Sequence, residues 1–154
     1  MVTVGEPAPD FELINQDGNT VRLSDFRGKK VVMFAYPAAG TSGCTTQACG
    51  FRDRFPRFTQ NNIVVLGISP DKPADQLKWK KAENLPYDLL CDEDHKVLEQ
   101  WGAWGEKTSF GKTYDGVIRS HWIIDENGIL IDQQLGVSPV DSVEKATAAL
   151  VGEA

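Results

Sequence analysis

The chain has 154 residues, 41% of them hydrophobic and 25% charged. That composition predicts one domain spanning 1–154 and excludes a fibrous or disordered chain. The formal net charge of −6 makes nucleic acid and anionic membrane poor partners, because phosphate binding draws on a basic surface, and the longest apolar runs, Val31–Tyr36 and Ile63–Ile68, fall far short of the roughly 18 residues of a membrane span.

The opening, Met1-Val-Thr-Val-Gly-Glu-Pro, has no basic start and no apolar signal core, so secretion is not expected. Phe11–Ile14 and Val21–Leu23 flank a polar Gly-containing turn and read as a hairpin. Lys30–Tyr36 is a continuous apolar run, the pattern of a strand buried on both faces. A helix is expected from about Gly43 to Thr59, where Phe51, Phe55 and Phe58 fall on one stripe. Pro56 is expected to kink or end that helix. Ile63–Ser69 reads as a second buried strand, Ala74–Asn84 as a helix, Tyr87–Cys91 as a short strand and Asp92–Trp101 as a short helix. Val117–Asp125 and Ile129–Leu135 flank Glu126-Asn-Gly128 as a second hairpin, and Pro139–Val151 closes the chain as an amphipathic helix.

Parallel strands need crossover helices, and this order supplies them. The expected class is α/β with helices on both faces of the sheet. It fits a thioredoxin-like fold with an N-terminal β-hairpin and an inserted strand and helix. A flavodoxin-like sheet fits less well, because the last two strands form an antiparallel hairpin.

The cysteines are Cys44, Cys49 and Cys91. An odd number without a signal peptide predicts an intracellular protein with at least one free thiol. Cys44 falls between a buried strand and a helix, where ligands bind in open α/β sheets. In the first turn of that helix, unpaired N–H groups and the positive end of the helix dipole favour a thiolate, the attacking form of cysteine. Thr41 is placed to cap the helix or to point at whatever Cys44 attacks, and Pro37 is placed to shield the sulfur. On an unbroken helix, Cys44 and Cys49 would have Cα atoms about 8.6 Å apart, beyond the about 7 Å a disulfide tolerates. Any bond between them requires the helix start to unwind. A core cysteine remains the alternative reading of both residues.

Pro37-xxx-Thr41-xx-Cys44 resembles the peroxiredoxin signature, and the second cysteine in Cys44-Thr-Thr-Gln-Ala-Cys49 is similar to the Q type, also called bacterioferritin comigratory proteins. Gly5-Glu-Pro-Ala-Pro-Asp-Phe11, Trp101-Gly-Ala-Trp-Gly-Glu-Lys107 and Gly116-Val-Ile-Arg-Ser120 extend the resemblance over nearly the whole chain. The resemblance implies a thiol peroxidase with Cys44 as the peroxidatic cysteine and Cys49 as the resolving one. Thr41, Arg119 and Pro37 complete the implied site. It further implies peroxide substrates and recycling by thioredoxin or a similar dithiol, with no metal or organic cofactor required; a monomer is the expected state, which the sequence itself does not fix. The sequence departs from the family pattern in three places: Ser42-Gly43 for Pro-Gly, Gln47 for a frequent Glu, and Ala38-Ala39 for Lys-Asp-type residues. Gln47 leaves open how a second arginine, such as Arg54, is oriented. Gln47 with Gly50-Phe-Arg-Asp53 is similar to fungal members, some of them nuclear, so cytoplasm or nucleus is the expected location.

The rival readings are a protein disulfide oxidoreductase, which lacks its usual Cys-x-x-Cys, and a metal module built from Cys44, Cys49, Cys91, His95 or His121, which lacks paired-ligand spacing. A holdase with vestigial cysteines is a third. Cys91, His95, His121, Trp101 and Trp104 are expected to be structural.

Overall fold

The computed structural model describes residues 2–152. Strands β1 (Glu12–Asn15) and β2 (Thr20–Arg22) pair antiparallel as the first hairpin. Asn15 Oδ1 accepts the backbone N–H groups of Asp17 and Asn19, each at 3.0 Å, and so closes the turn locally. A 3-10 turn (Leu23–Phe26) leads to β3 (Lys30–Ala35), α1 (Ser42–Gln60), β4 (Ile63–Ser69), α2 (Pro73–Glu83) and β5 (Asp88–Cys91). Then come α3 (Lys96–Gln100), β6 (Trp104–Ser109), β7 (Lys112–Val117), β8 (Ser120–Ile124), β9 (Leu130–Leu135) and α4 (Pro139–Val151).

The main sheet has the order β2-β1-β5-β4-β3-β8-β9. Strands β3, β4 and β5 are parallel, joined by α1 and α2, and β8 and β9 extend the sheet antiparallel. Strand β3 shows why its sequence is apolar throughout. Val31, Met33 and Ala35 face one core with Leu98 and Trp101, while Val32 and Phe34 face another with Phe51, Trp79 and Val143. One face is thus covered by α1, α2 and α4, the other by α3 and the chain start. The layers and order match the thioredoxin-like expectation.

Three expectations need correction. Pro56 does not end α1, which runs on to Gln60. Proline deprives the Arg52 carbonyl of its helical donor, at a cost of about 3 kcal/mol. Pro56 sits on the exposed side, however, while Phe51 and Phe58 are fully buried, each contributing about 1.5–3 kcal/mol. The helix predicted over Asp92–Trp101 is shorter, because the buried Asp92 carboxylate accepts the Leu98 N–H at 2.8 Å and His95 adopts a left-handed φ of 51° ahead of α3. The strand predicted over Val117–Asp125 is divided. Val117 ends β7, Ile118 and Arg119 form a link, and β8 starts at Ser120. Strands β6 and β7 form a separate two-stranded ribbon whose polar residues gave no buried-strand pattern. Its turn, Phe110-Gly111, has positive φ at both residues, the geometry usually signalled by Asn-Gly.

Candidate active site

Cys44 is the third residue of α1 and is fully buried. The first helical hydrogen bond runs from Thr45 N to Thr41 O at 2.9 Å. The N–H groups of Ser42, Gly43 and Cys44 therefore precede the intrahelical ladder, and the positive end of the helix dipole lies at this sulfur. Thr41 occupies the cap position with an extended backbone, but its hydroxyl does not cap the helix. It donates instead to Ala38 O at 3.0 Å. The first turn also has no acidic residue. This helix start thus lacks two ordinary stabilisers, a capping bond and an acidic side chain, each worth about 1 kcal/mol.

Arg119 reaches the same point from the link between β7 and β8. Its backbone is held on both sides: Ile118 N donates to Ala103 O at 2.8 Å, and Arg119 O accepts from Val137 N at 2.9 Å. The guanidinium donates from Nη2 to Cys44 Sγ at 3.6 Å and from Nη1 to Gln47 Oε1 at 2.8 Å. Gly43 makes room for it, since a Cβ there would stand 3.2 Å from Arg119 Nη2. Arg119, not Arg54, therefore meets Gln47. Arg54 Nη1 donates to Gly50 O at 3.3 Å within α1.

Cys49 is half-buried on the same helix. Its thiol faces Glu83 Oε2, the last residue of α2, at 3.9 Å. Burial pushes the Cys49 thiol up, Arg52 opposes this, and the Glu83 carboxylate adds to it. All three cysteines are free thiols. Because α1 is continuous through both positions, the about 8.6 Å Cα separation of an ideal helix applies, too long for a disulfide. Side-chain bonds hold this part of α1 in place: Trp79 Nε1 donates to Thr45 Oγ1 at 3.2 Å, and Tyr87 Oη donates to Ala48 O at 2.6 Å. Cys91 lies apart, at the buried end of β5, with its thiol pushed up to about 12 by burial and then by Glu93 and Asp71. Pro37 is half-buried in the loop between β3 and α1, and Ala39 N anchors that loop by donating to Asp71 Oδ2 at 2.8 Å.

A cleft of about 540 Å³ opens between this loop and α2, lined by Ala39, Gly40, Thr45, Asp71, Trp79 and Glu83 among others. It joins the loop before Cys44 to the side of α1 that carries Cys49. A second cleft, about 330 Å³, lies by Asn62–Leu66 and Tyr87, away from Cys44.

Two buried residues extend the site: Ser142, which the sequence does not single out, and His121, which reads there as structural. Gln47 Nε2 donates to Ser142 Oγ at 3.0 Å, and Ser142 Oγ lies 2.8 Å from His121 Nδ1. The signal was present in the periodicity. Positions 119 and 121 share one side of an extended chain, and Ser142 is a polar residue on the buried face of α4, beside Val143 and Ala146. Among the described residues, no group of three or more His, Cys, Asp or Glu side chains is placed to hold a metal ion, and no helix is long and apolar enough to cross a membrane.

Comparison with known proteins places these observations. The model of the AhpC/TSA family matches residues 4–133. Over 149 residues the chain is 42% identical to peroxiredoxin Bcp of Bacillus subtilis, covering 97% of this chain and 95% of the relative. It is 49% identical over 124 residues to peroxiredoxin Bcp of Escherichia coli, covering 80% of each. The crystal structure of peroxidoxin BcpB from Mycobacterium tuberculosis is similar with a TM-score of 0.85 and 34% identity, covering 97% of each chain.

Proposed function

The chain belongs to the AhpC/TSA family as a thiol peroxidase of the Bcp type, and we propose that it reduces hydroperoxides through Cys44 and resolves the product with Cys49. The observation that carries this reading is the Arg119 guanidinium donating to Cys44 Sγ at 3.6 Å, at the start of α1. Both the guanidinium and the helix dipole stabilise negative sulfur, and the guanidinium also stabilises charge developing on a departing oxygen.

The Cys44 thiolate attacks one oxygen of the peroxide in line with the O–O bond. An S–O bond forms, the O–O bond breaks, and the leaving oxygen departs as water or an alcohol after taking a proton. The Thr41 hydroxyl commits its proton to Ala38 O, so its lone pairs are available to the peroxide O–H. Pro37 screens the sulfur from bulk water.

The first turns of α1 then unwind, which the absence of a side-chain cap and of first-turn acids makes less costly. The cleft beside the loop gives the displaced segment room. The Cys49 sulfur attacks the sulfenic sulfur, an S–S bond forms, and the hydroxyl leaves as water with the thiol proton. Thioredoxin or a similar dithiol reduces the disulfide by exchange. The reading includes a monomeric enzyme acting inside the cell. The named relatives are bacterial and give no support to a nuclear location.

Peroxide consumption coupled to thioredoxin, measured for wild type, Cys44→Ser and Cys49→Ser, tests the assignment. Cys44→Ser is expected to abolish the reaction. Cys49→Ser is expected to permit one oxidation and then turn over poorly with thioredoxin. Equal turnover by all three proteins contradicts it.

A further inference from the structure

We propose that Ser142 and His121 are positioning residues that orient the Gln47 amide and, through it, the Arg119 guanidinium on Cys44. The inference rests on Cys44 being the sulfur that meets peroxide. It reaches beyond the residues that touch that sulfur, to α4 and β8.

The polarity of the hydrogen bonds leaves one arrangement. Arginine only donates, so the atom of Gln47 facing Arg119 Nη1 at 2.8 Å is the amide oxygen. The amide nitrogen then points at Ser142 Oγ, which accepts at 3.0 Å. Among the described residues Ser142 Oγ meets no other acceptor, so its single hydroxyl proton goes to His121 Nδ1, 2.8 Å away. Nδ1 therefore accepts, and the ring carries its proton on Nε2, which faces Asp132 Oδ2 at 3.9 Å. Every bond in this chain donates toward the carboxylate end: Arg119 to Gln47, Gln47 to Ser142, Ser142 to His121.

Gln47, Ser142 and His121 are each 0% exposed. No bulk water reaches them to replace a lost partner, so each group depends on its neighbour. Without the Ser142 oxygen, the Gln47 amide is held at one end only, by Arg119, and its buried nitrogen has lost its acceptor. An amide that rotates to satisfy that nitrogen carries its oxygen off the line to Arg119 Nη1. The half-buried Arg119 then loses its fixed direction, and with it the Nη2 contact to Cys44 Sγ. The chain spans α1, α4 and β8, three elements that must be packed for the guanidinium to be aimed.

The test is the second-order rate constant for oxidation of Cys44 by hydrogen peroxide, measured on the full chain by rapid quench and mass spectrometry. Ser142→Ala is expected to lower it about tenfold, the scale of a small misplacement of a catalytic group. In a Gln47→Leu background, the same substitution is expected to change the rate by less than about twofold, because its effect passes through the amide. His121→Leu is expected to slow oxidation as Ser142→Ala does. His121→Asn, whose side-chain oxygen can replace Nδ1 as acceptor, is expected to recover most of the loss. A Ser142→Ala rate within about twofold of wild type, or an equal drop in both backgrounds, overturns the proposal. If Ser142→Ala does not fold, the His121 pair decides: Asn no better than Leu overturns it. Failure of wild-type Cys44 to react with peroxide instead sinks the reading of Cys44 itself.

Discussion

Gly43 and Arg119 are fitted to one another, with a Cβ on Gly43 standing only 3.2 Å from Arg119 Nη2. The same nitrogen donates to Cys44 Sγ. Gly43→Ala therefore pushes the guanidinium off the sulfur by a few tenths of an ångström or more. As a helix residue, alanine also stabilises α1 by about 0.5–1 kcal/mol relative to glycine. The expected outcome has opposite signs: a denaturant midpoint equal to or above wild type, and a peroxide rate constant lower by about tenfold.

Cys49 and Glu83 offer a test of local electrostatics. The Glu83 carboxylate lies 3.9 Å from Cys49 Sγ and helps raise its pKa, after burial. Removing that charge lowers the pKa and increases the thiolate fraction near pH 8. In a Cys44→Ser background, Glu83→Gln is expected to speed alkylation of Cys49 by iodoacetamide. An unchanged or slower rate contradicts the contact.

His121 makes stability depend on pH. Burial depresses its pKa from 6.5 to about 4, with Asp132 on β9 opposing and Lys145 on α4 assisting. The unfolded chain therefore binds a proton between about pH 6.5 and 4 that the folded chain does not. The stability due to keeping this ring neutral is present above pH 6.5 and is lost as pH falls toward 4. Its size is up to about 3 kcal/mol. Urea unfolding of wild type and His121→Asn, compared at pH 7 and pH 4.5, is expected to show the larger acid loss in wild type.

Cys91 should be a bystander. It is 5% exposed, and its thiol is pushed up to about 12 by burial and nearby carboxylates. Native protein treated with iodoacetamide at pH 8 is expected to keep Cys91 unmodified. Cys91→Ala is expected to turn over peroxide at the wild-type rate.

Much of this molecule is legible in its residues. The apolar runs of β3 and β4 announced strands covered on both faces, and the stripe of Phe51, Phe55 and Phe58 announced α1. Arg119 was legible only through family resemblance, because nothing in its immediate sequence says that it crosses to the start of α1. The β6–β7 ribbon was missed because polar residues line it and Phe110 stands in a turn position where glycine or asparagine is the usual signal. Of the two roles open to the Thr41 side chain, only the capping bond is excluded, because a cap position and a capping bond are different things. Its hydroxyl finds Ala38 O, a partner fixed by the loop and not by the helix. Ser142 goes unremarked and His121 reads as structural for a related reason: each looks like an ordinary residue of its own element, and only packing joins them to Gln47.

Capture of the oxidised Cys44 sulfur by Cys49 within one chain is the step on which the proposed cycle turns. The peptide 31–52 contains both cysteines and no internal lysine or arginine, so trypsin releases them together. Reduced protein should be treated with one equivalent of hydrogen peroxide, blocked with an alkylating agent, digested without reductant and weighed. Peptide 31–52 is expected to be lighter by two hydrogens and unalkylated, with Cys91 recovered as an alkylated thiol after denaturation. A disulfide to Cys91 or between chains, or peptide 31–52 fully alkylated at both cysteines, would contradict it.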